Sequence, residues 1–372
     1  MPINKNDTKI KKKVIIVDDS ALMRRVLCDI IGTDERFQIT GKATNGLEAL
    51  ELMKQDTFDI MVLDVNMPKM DGIQLLREMQ KQKIAMKVLM SSTDTKEGAS
   101  VTMEALDLGA LDFIHKPSNF LEIRQETFQK RFMELLNAVA QSRQNNLGRE
   151  VVTRKADIAP VPNKTVTVKG MIDKRSKTNG QKIVALACST GGPKALQSVI
   201  PRLPKDLAAP VLIVQHMPAG FTKSLAERLN VLSAIDVVEA TEGEAVLPGK
   251  VYLAKGGAHM NVVTNSSGLT TIHYSDEPPR EGVKPCANYM YESLMNSNYS
   301  EVVCVVLTGM GADGTQGIVN LDTKKKVHVI AQDEASSTVY GMPKAIKNAG
   351  LVNQIVTLED VAREIVMNVG VR

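Results

Sequence analysis

Short apolar runs alternate with segments of helical periodicity along the first 140 residues. Four of these runs have the length of buried strands, namely VIIV (14–17), IMVL (60–63), KVLM (87–90) and LDFI (111–114). Between them, segments such as SALMRRVLCDII and GIQLLREMQKQ carry apolar residues at helical spacing. Strands that alternate with helices predict a parallel sheet with right-handed crossovers. An amphipathic helix over 120–140 is expected to close this unit.

The periodicity is lost between residues 141 and 182 and then returns. This segment is rich in Lys, Asn, Thr and Pro, and it carries a net charge of +7. Such a composition predicts a flexible basic linker. From residue 183 the runs IVALA, PVLIVQ, EVVCVVL and VHVIA predict a second parallel sheet, and MNVVTNSSGLTTIHYS predicts an inserted hairpin. We therefore predict one domain at 13–140 and another at 183–370.

The composition excludes several classes of protein. The net charge of +4 is small for 372 residues, and its excess lies in the linker, so no nucleic-acid partner is expected. Four scattered cysteines without a C-x-x-C pair argue against zinc and disulfides, and they fit a reduced cytoplasm. No run approaches the roughly 18 apolar residues that span a bilayer, so no membrane insertion is expected.

Acidic side chains follow two predicted strands of the first domain. Asp18 and Asp19 end the first strand, and Asp64 ends another. Because the carboxyl ends of parallel strands meet in one crevice, these groups would repel one another by about 4 kcal/mol per pair at about 4 Å. A divalent cation such as Mg²⁺ would relieve that repulsion. Ser91 and Lys116 follow two further strands. The alternative is that these acids are ordinary solvated loop residues. That interpretation does not explain why all five residues lie at matching strand ends.

Three strand ends of the second domain carry the residue types of a hydrolytic triad. Ser189 follows the first strand, His216 follows the second, and Asp313 follows a later one. A nucleophilic serine needs a base, and the base needs an orienting group. Gly191 and Gly192, which follow shortly after Ser189, allow the backbone to turn sharply and to approach a substrate closely. The turn CSTGGP lacks the G-x-S-x-G elbow, so the ordinary hydrolase fold is not indicated.

Other residues compete for these roles. His259 is the main rival base, whereas His273 and His328 lie inside strand patterns and are expected to be packed or on the surface. Cys188 is a stronger nucleophile in principle than Ser189, but its sequence neighbours supply no obvious activation.

The segment GMGADG raises a different alternative, a dinucleotide site. Gly309, Gly311 and Gly314 match G-x-G-x-x-G, and Asp333 follows at the distance of a ribose-binding acid. However, Asp313 would lie at the helix N-terminus where a pyrophosphate should bind, and the two negative groups would repel. The same helix end stabilises a carboxylate alone, so the triad is favoured.

Residues 13–135 resemble the receiver domain of two-component response regulators, and NMPKMDG matches a loop of that family. The resemblance implies phosphorylation of Asp64 and a Mg²⁺ site around it. The further residues that it implies are the acidic pair Asp18 and Asp19, the backbone carbonyl of Asn66 as a metal ligand, the switch hydroxyl of Ser91 and the lysine Lys116.

Residues 183–370 resemble the catalytic domain of the chemotaxis protein-glutamate methylesterase family. The matching stretches are STGG, QHMPAGFTKSLAERLN, EGEAVLPGKVYLA, LTGMGADG and EASSTVYGMPKAI. The resemblance implies Ser189 as nucleophile, His216 as base and Asp313 as orienter. It also implies that the Met310 backbone donates to the oxyanion and that Thr190 supports the histidine.

Together the two resemblances imply an α/β enzyme with a flavodoxin-like receiver and a Rossmann-like catalytic domain, both doubly wound. The implied activities are hydrolysis of glutamyl methyl esters on chemoreceptors and deamidation of receptor glutamines, through a shared acyl-enzyme. A chemotaxis histidine kinase is the implied phosphodonor, and no cofactor is expected for ester hydrolysis. We expect a monomer. A regulator with a DNA-binding output and an inactive receptor-binding module are the alternatives.

The chain departs from the family pattern at three places. It has LACSTGG where GASTGG is usual, and Lys255 where a proline is usual. It also has EGVKPCANY, with Cys286 and Asn288, in place of an Arg-His-Arg-Pro-Ser-Val-Asp run. We expect these changes at the rim of the cleft, where they would affect substrate preference more than chemistry.

Overall fold

The computed structural model of the chain describes residues 11–92, 96–117, 125–142 and 181–372. The predicted linker lies almost wholly outside these residues, so the predicted domain limits stay predictions. Within the described ranges, no helix is long and apolar enough to cross a membrane.

The N-terminal unit is a five-stranded parallel sheet in the order β2-β1-β3-β4-β5, with helices between the strands. The strands are β1 (Lys12–Val17), β2 (Phe37–Ala43), β3 (Ile60–Asp64), β4 (Lys87–Ser92) and β5 (Asp112–His115). The helices are α1 (Ala21–Ile31), α2 (Gly46–Gln55), α3 (Gly72–Lys81), α4 (Lys96–Asp107) and α5 (Glu126–Gln141). The four strands predicted from apolar runs are all present, and the parallel sheet is confirmed.

The C-terminal unit is a seven-stranded parallel sheet in the order β14-β13-β12-β6-β7-β9-β8, and the predicted hairpin β10-β11 is present. The strands are β6 (Lys182–Cys188), β7 (Val211–Gln215), β8 (Asp236–Glu239), β9 (Lys250–Leu253), β10 (His259–Thr264), β11 (Thr270–Ser275), β12 (Glu301–Val306), β13 (Lys326–Gln332) and β14 (Gln354–Val356). The α-helices are α6 (Gly192–Val199), α7 (Phe221–Leu232), α8 (Ala287–Ser293), α9 (Thr315–Asp322), α10 (Met342–Asn348) and α11 (Val361–Val369).

The order of the second sheet reverses at its first strand. Strand β6 lies between β12 and β7, and the registers pair Ala187 with Val306 and Cys188 with Gln215. These strands are almost entirely buried, as their apolar composition predicts for a sheet covered on both faces. In an open α/β sheet, ligands bind at such a switch point, beyond the carboxyl ends of the strands. The three predicted triad residues follow these three neighbouring strands.

The two units contact each other through α4 and β5 of the first and α6 and α7 of the second. Phe113 and Phe221 are both buried, and their rings stack with centroids 4.5 Å apart. Asp107 accepts a hydrogen bond from Gln197 at 2.9 Å and pairs with Arg228 at 2.9 Å. An apolar stack flanked by charged contacts is typical of an interface between domains that can separate.

Candidate active site and phosphorylation site

The backbone of Ser189 is fixed where β6 ends. Its N–H donates to the Thr308 carbonyl at 3.0 Å, and its own carbonyl accepts from the Gly192 N–H at 2.7 Å. The intervening Gly191 has φ +78°, and a Cβ there would lie 2.5 Å from Thr338. Glycine is therefore required for the turn that starts α6. Ser189 is buried, with 3% of its surface exposed.

His216 directly follows β7, and Ser189 directly follows its neighbour β6 in the sheet. The His216 N–H donates to the Cys188 carbonyl at 3.2 Å, which continues the ladder between the two strands by one more bond. The ring Nε2 lies 2.7 Å from Asp313 Oδ2, and both side chains are buried. Because Asp313 binds Nε2, Nδ1 is the ring nitrogen left to accept a proton.

Asp313 is a buried carboxylate held by several donors. It accepts from the backbone N–H groups of Ala287 at 2.6 Å and Asn288 at 3.0 Å, and from the Cys286 thiol at 3.0 Å. Burial opposes its ionisation, but the hydrogen bond and charge of His216 and the other donors outweigh that effect and hold its pKa below the ordinary value. The carboxylate is thus ionised and oriented before any substrate binds.

The expectation that the segment EGVKPCANY lies at the rim is wrong for residues 285–288, whereas Glu281 and Gly282 are exposed. Cys286 and Asn288 have no exposed surface, and they lie behind Asp313. The Asn288 side-chain oxygen also accepts from the N–H groups of Gly314 at 3.1 Å and Gly317 at 2.6 Å. Residues 285–288 are buried because they lead into α8, whose first N–H groups face the carboxylate. Lys255, in contrast, is exposed.

These same contacts bear on the dinucleotide alternative. The N-terminus of α9, where a pyrophosphate would bind, already has its N–H groups bonded to Asp313 and Asn288. Asp333, the candidate ribose ligand, accepts instead from the Ser336 N–H at 3.0 Å. The glycines of GMGADG therefore serve the turn that carries Asp313.

The other candidate bases and the rival nucleophile have structural partners. His259 is buried, and its Nδ1 accepts from the Cys286 N–H at 3.1 Å. Burial lowers the pKa of His259, which keeps it neutral. His273 pairs with Glu242, and His328 lies 3.0 Å from the Gln354 side chain. Cys188 is fully buried and its pKa is strongly raised by burial, so its thiol stays protonated.

Thr190 directly follows Ser189 in the chain, and Met310 follows Gly309, which packs against Ser189. A Cβ at Gly309 would be only 2.9 Å from the Ser189 Cβ, so the two segments pass in close contact. Among the described residues, the Met310 N–H makes no backbone hydrogen bond. Thr190 is 1% exposed, and its carbonyl accepts from the Thr308 hydroxyl at 2.9 Å.

Three carboxylates meet in the N-terminal unit, as the sequence predicts. Asp18, Asp19 and Asp64 offer oxygen atoms within 4.8 Å of one another. Lys116 Nζ lies 2.6 Å from Asp64 Oδ2 and 3.0 Å from Asp18 Oδ2. Ser91 is buried and lies beside Asp64 in the β3-β4 register. Asn66, the other implied ligand, lies two residues beyond β3 and is exposed.

The electrostatics of this cluster fit a divalent cation. Burial raises the pKa of Asp64 to about 6 despite the opposing charge of Lys116, and burial also raises the pKa of Asp18. One ammonium group compensates three carboxylates only in part. Carboxylate oxygens are hard ligands of the kind that Mg²⁺ prefers.

The N-terminal unit also contributes to the surroundings of the triad. The Asp112 carboxyl lies near the Thr190 hydroxyl; burial raises the pKa of Asp112, and Thr190 acts in the opposite direction. A cavity of about 400 Å³ lies beside this contact and is lined by β5, α5, His216 and Pro218. Residues of both units thus line a cavity that reaches His216.

Comparison with known proteins gives the class of each unit. Residues 14–128 match the family model of the response regulator receiver domain, and residues 184–365 match that of the CheB methylesterase. A protein-glutamate methylesterase/protein-glutamine glutaminase of Bacillus subtilis is 41% identical over 95% of this chain and 97% of its own length. A protein of the same name from Pyrococcus horikoshii is 39% identical over 96% of this chain and 93% of its own length. The chain belongs to the family of protein-glutamate methylesterases/protein-glutamine glutaminases, in which a receiver domain precedes the hydrolase domain.

Solved structures of Thermotoga maritima CheB resemble the two units separately. The methylesterase catalytic domain is 36% identical and covers 51% of this chain and 99% of that one, with a TM-score of 0.49. The response regulator domain is 39% identical and covers 36% of this chain and 96% of that one, with a TM-score of 0.32.

Replacement of Asp64 by Asn should stabilise the N-terminal unit above pH 6 in buffer with EDTA. The folded-state pKa of about 6 exceeds the ordinary 3.8, so the folded state binds the proton more tightly. The free energy of unfolding should therefore fall as the pH rises from about 4 to about 6, by at most about 3 kcal/mol. Urea unfolding at pH 4 and pH 7.5 tests this. Asp19→Asn, at an exposed position, is the control. An equal pH dependence in Asp64→Asn and the unaltered chain would contradict the assignment.

Proposed function

We propose that this chain hydrolyses methyl esters of glutamate side chains on the cytoplasmic domains of chemoreceptors, and deamidates receptor glutamines. The observation that carries the proposal is the 2.7 Å bond between His216 and Asp313, at a strand end next to Ser189, in a chain of this family. The proposed phosphodonor is a chemotaxis histidine kinase acting on Asp64. The proposed setting is the cytoplasm, with the enzyme a monomer that binds no nucleic acid.

In the proposed mechanism, His216 removes the Ser189 proton through Nδ1, and the serine oxygen attacks the ester carbonyl. The Met310 N–H donates to the oxygen that becomes negative, which stabilises the tetrahedral intermediate. His216 then returns its proton to the leaving group, which departs as methanol from an ester or as ammonia from an amide. Water, deprotonated by His216, hydrolyses the acyl-enzyme, which leaves a glutamate side chain on the receptor, and His216 returns the proton to Ser189.

Asp313 would act by electrostatics and by orientation. Its negative charge stabilises the imidazolium that forms on His216 and fixes the ring with Nδ1 toward the serine. Four donors besides His216 hold the carboxylate: the N–H groups of Ala287, Asn288 and Gly314, and the Cys286 thiol. They keep it ionised in a buried site, so its position does not depend on substrate.

The receiver would regulate this chemistry through the phosphate on Asp64. Bound Mg²⁺ would be held by Asp18, Asp19, Asp64 and the Asn66 carbonyl, and it would neutralise the charge of the incoming phosphoryl group. A phosphate adds charge and strong acceptor oxygens, which Ser91 and Lys116 would bind. Ser91 lies near the end of β4, and Lys116 directly follows β5, the strand whose Phe113 contacts the catalytic unit.

We infer that the unphosphorylated receiver restricts access to Ser189. The support is the contact of β5 with the site, where Asp112 lies near Thr190 and Phe113 stacks on Phe221. Movement of Ser91 and Lys116 toward a phosphate would shift the ends of β4 and β5 and weaken that contact. A bias of about 1–3 kcal/mol is sufficient for such coupling.

Ser189→Ala should abolish methanol release from methylated receptor, with a loss on the order of 10⁶ in turnover. The folded state and receptor binding should persist, because the change removes one oxygen from a turn held by backbone bonds. Cys188→Ala is the comparison at the neighbouring position, and it should keep far more turnover than Ser189→Ala. If Cys188→Ala inactivates the enzyme and Ser189→Ala leaves most activity, the thiol is the nucleophile and the assignment is wrong.

Asp107→Asn should raise the basal rate of methanol release by roughly three- to tenfold without phosphodonor. The change weakens two contacts between the units, to Gln197 and Arg228. Activation by acetyl phosphate should shrink correspondingly. Glu104→Gln, one turn earlier on α4, is the control because Glu104 pairs with Arg77 inside the receiver. A basal rate at or below that of the unaltered chain would contradict inhibition by the docked receiver.

A further inference from the structure

The side chain of Gln215 contacts both the nucleophile segment and the base segment of the site. Its Nε2 donates to the Ser189 carbonyl at 3.0 Å and to the His216 carbonyl at 3.2 Å. Its Oε1 accepts from the Cys188 thiol at 3.0 Å. Gln215 is 2% exposed; its bonds to Ser189 and Cys188 are buried, and its bond to His216 is partly buried. A single carboxamide thus connects the ends of β6 and β7.

This contact lies where the parallel ladder stops. The last paired residues are Cys188 and Gln215, and the last backbone bond between the strands runs from His216 to the Cys188 carbonyl. Beyond it, the sheet itself no longer sets the distance between Ser189 and His216. The Gln215 amide links the two segments instead, because its single nitrogen donates one hydrogen atom to the Ser189 carbonyl and one to the His216 carbonyl.

The orientation of the carboxamide is fixed by its surroundings. The Cys188 thiol is protonated, since burial strongly raises its pKa, and it therefore serves as the donor to Oε1. On the same side, a Cβ at Gly192 would lie 1.8 Å from Oε1. The second glycine of STGG is therefore required by the glutamine. Rotation of the amide by half a turn would place its oxygen against the two carbonyls and its nitrogen against the thiol.

We propose that Gln215 is a positioning residue that sets the Ser189–His216 geometry through the backbone carbonyls of both residues. The inference rests on the proposed function, in which His216 removes the Ser189 proton. Loss of the carboxamide would let the two strand ends shift relative to each other. Misplacement of reacting groups by about 1 Å can cost on the order of 100-fold in rate. We therefore expect a loss of turnover without a loss of substrate binding.

The test is Gln215→Met in the full-length chain, because methionine keeps the length of the side chain and removes its donors and acceptor. Two rates are measured, with and without acetyl phosphate: methanol release from methylated receptor, and phosphonylation of Ser189 by a fluorophosphonate, mapped by peptide mass. We expect kcat and the phosphonylation rate to fall roughly 10- to 100-fold, with KM within about twofold.

Tyr252→Phe is the matched control. The Tyr252 hydroxyl accepts from the Leu247 N–H at 2.9 Å and donates to the Ala245 carbonyl at 2.7 Å, so the change removes two partly buried hydrogen bonds elsewhere on the same sheet. Its rates should stay within about twofold of the unaltered chain. Equal losses in Tyr252→Phe and Gln215→Met would reduce the role of Gln215 to general stability and overturn the proposal.

Two further outcomes separate this proposal from the function on which it rests. If Gln215→Met is phosphonylated at Ser189 and turns over as fast as the unaltered chain, the positioning role is wrong and the triad stands. If the unaltered chain is not phosphonylated at Ser189, the proposed mechanism fails, and the positioning role fails with it. If Gln215→Met does not fold, Gln215→Glu takes its place, because it keeps the acceptor for Cys188 and replaces the donor nitrogen with an oxygen. The same losses are expected from it.

Discussion

The buried charge of Asp313 is the constraint on which the rest of the catalytic unit depends. An ionised carboxylate in an apolar interior is costly unless it is paired and hydrogen-bonded. The chain meets this requirement with donors from three directions: the first N–H groups of α8, the N–H group at the start of α9, and the ring of His216. The buried residues around Cys286 and Asn288 supply part of these donors. The position of the histidine then follows from that of the acid.

The two units use the same architectural rule for different chemistry. In each, functional side chains follow neighbouring parallel strands and meet beyond their carboxyl ends. The receiver places three carboxylates and one lysine there, which suits a cation and a phosphoryl group. The catalytic unit places a hydroxyl, an imidazole and a single carboxylate there, which suits proton transfer. Contact between these two edges, through β5 and α7, gives one site a physical route to the other.

Much of the two sheets and of the site could be predicted from the sequence, because the end of a buried strand is marked locally by the end of an apolar run. The apolar runs before Asp64, Ser189 and His216 identified central strands, and the rule for parallel sheets then brought the side chains together. Strands β2, β8, β9 and β14 were not predicted, since they lie at or near sheet edges and lack a long continuous apolar run. Cys286 and Gln215 were missed as site residues because their roles depend on partners far away in the chain. Only the position of Gln215, directly before His216 at a strand end, could have suggested its role.

The central claim is that Asp313 holds His216 in the tautomer that accepts the serine proton. Turnover of methylated receptor by Asp313→Asn tests it most directly. The amide keeps the shape of the carboxylate but removes its charge and favours the wrong tautomer, so kcat should fall on the order of 10⁴-fold with little change in stability or KM. Retention of more than a tenth of the turnover, or saturable binding of NAD(H) that improves when the charge is removed, would contradict the account.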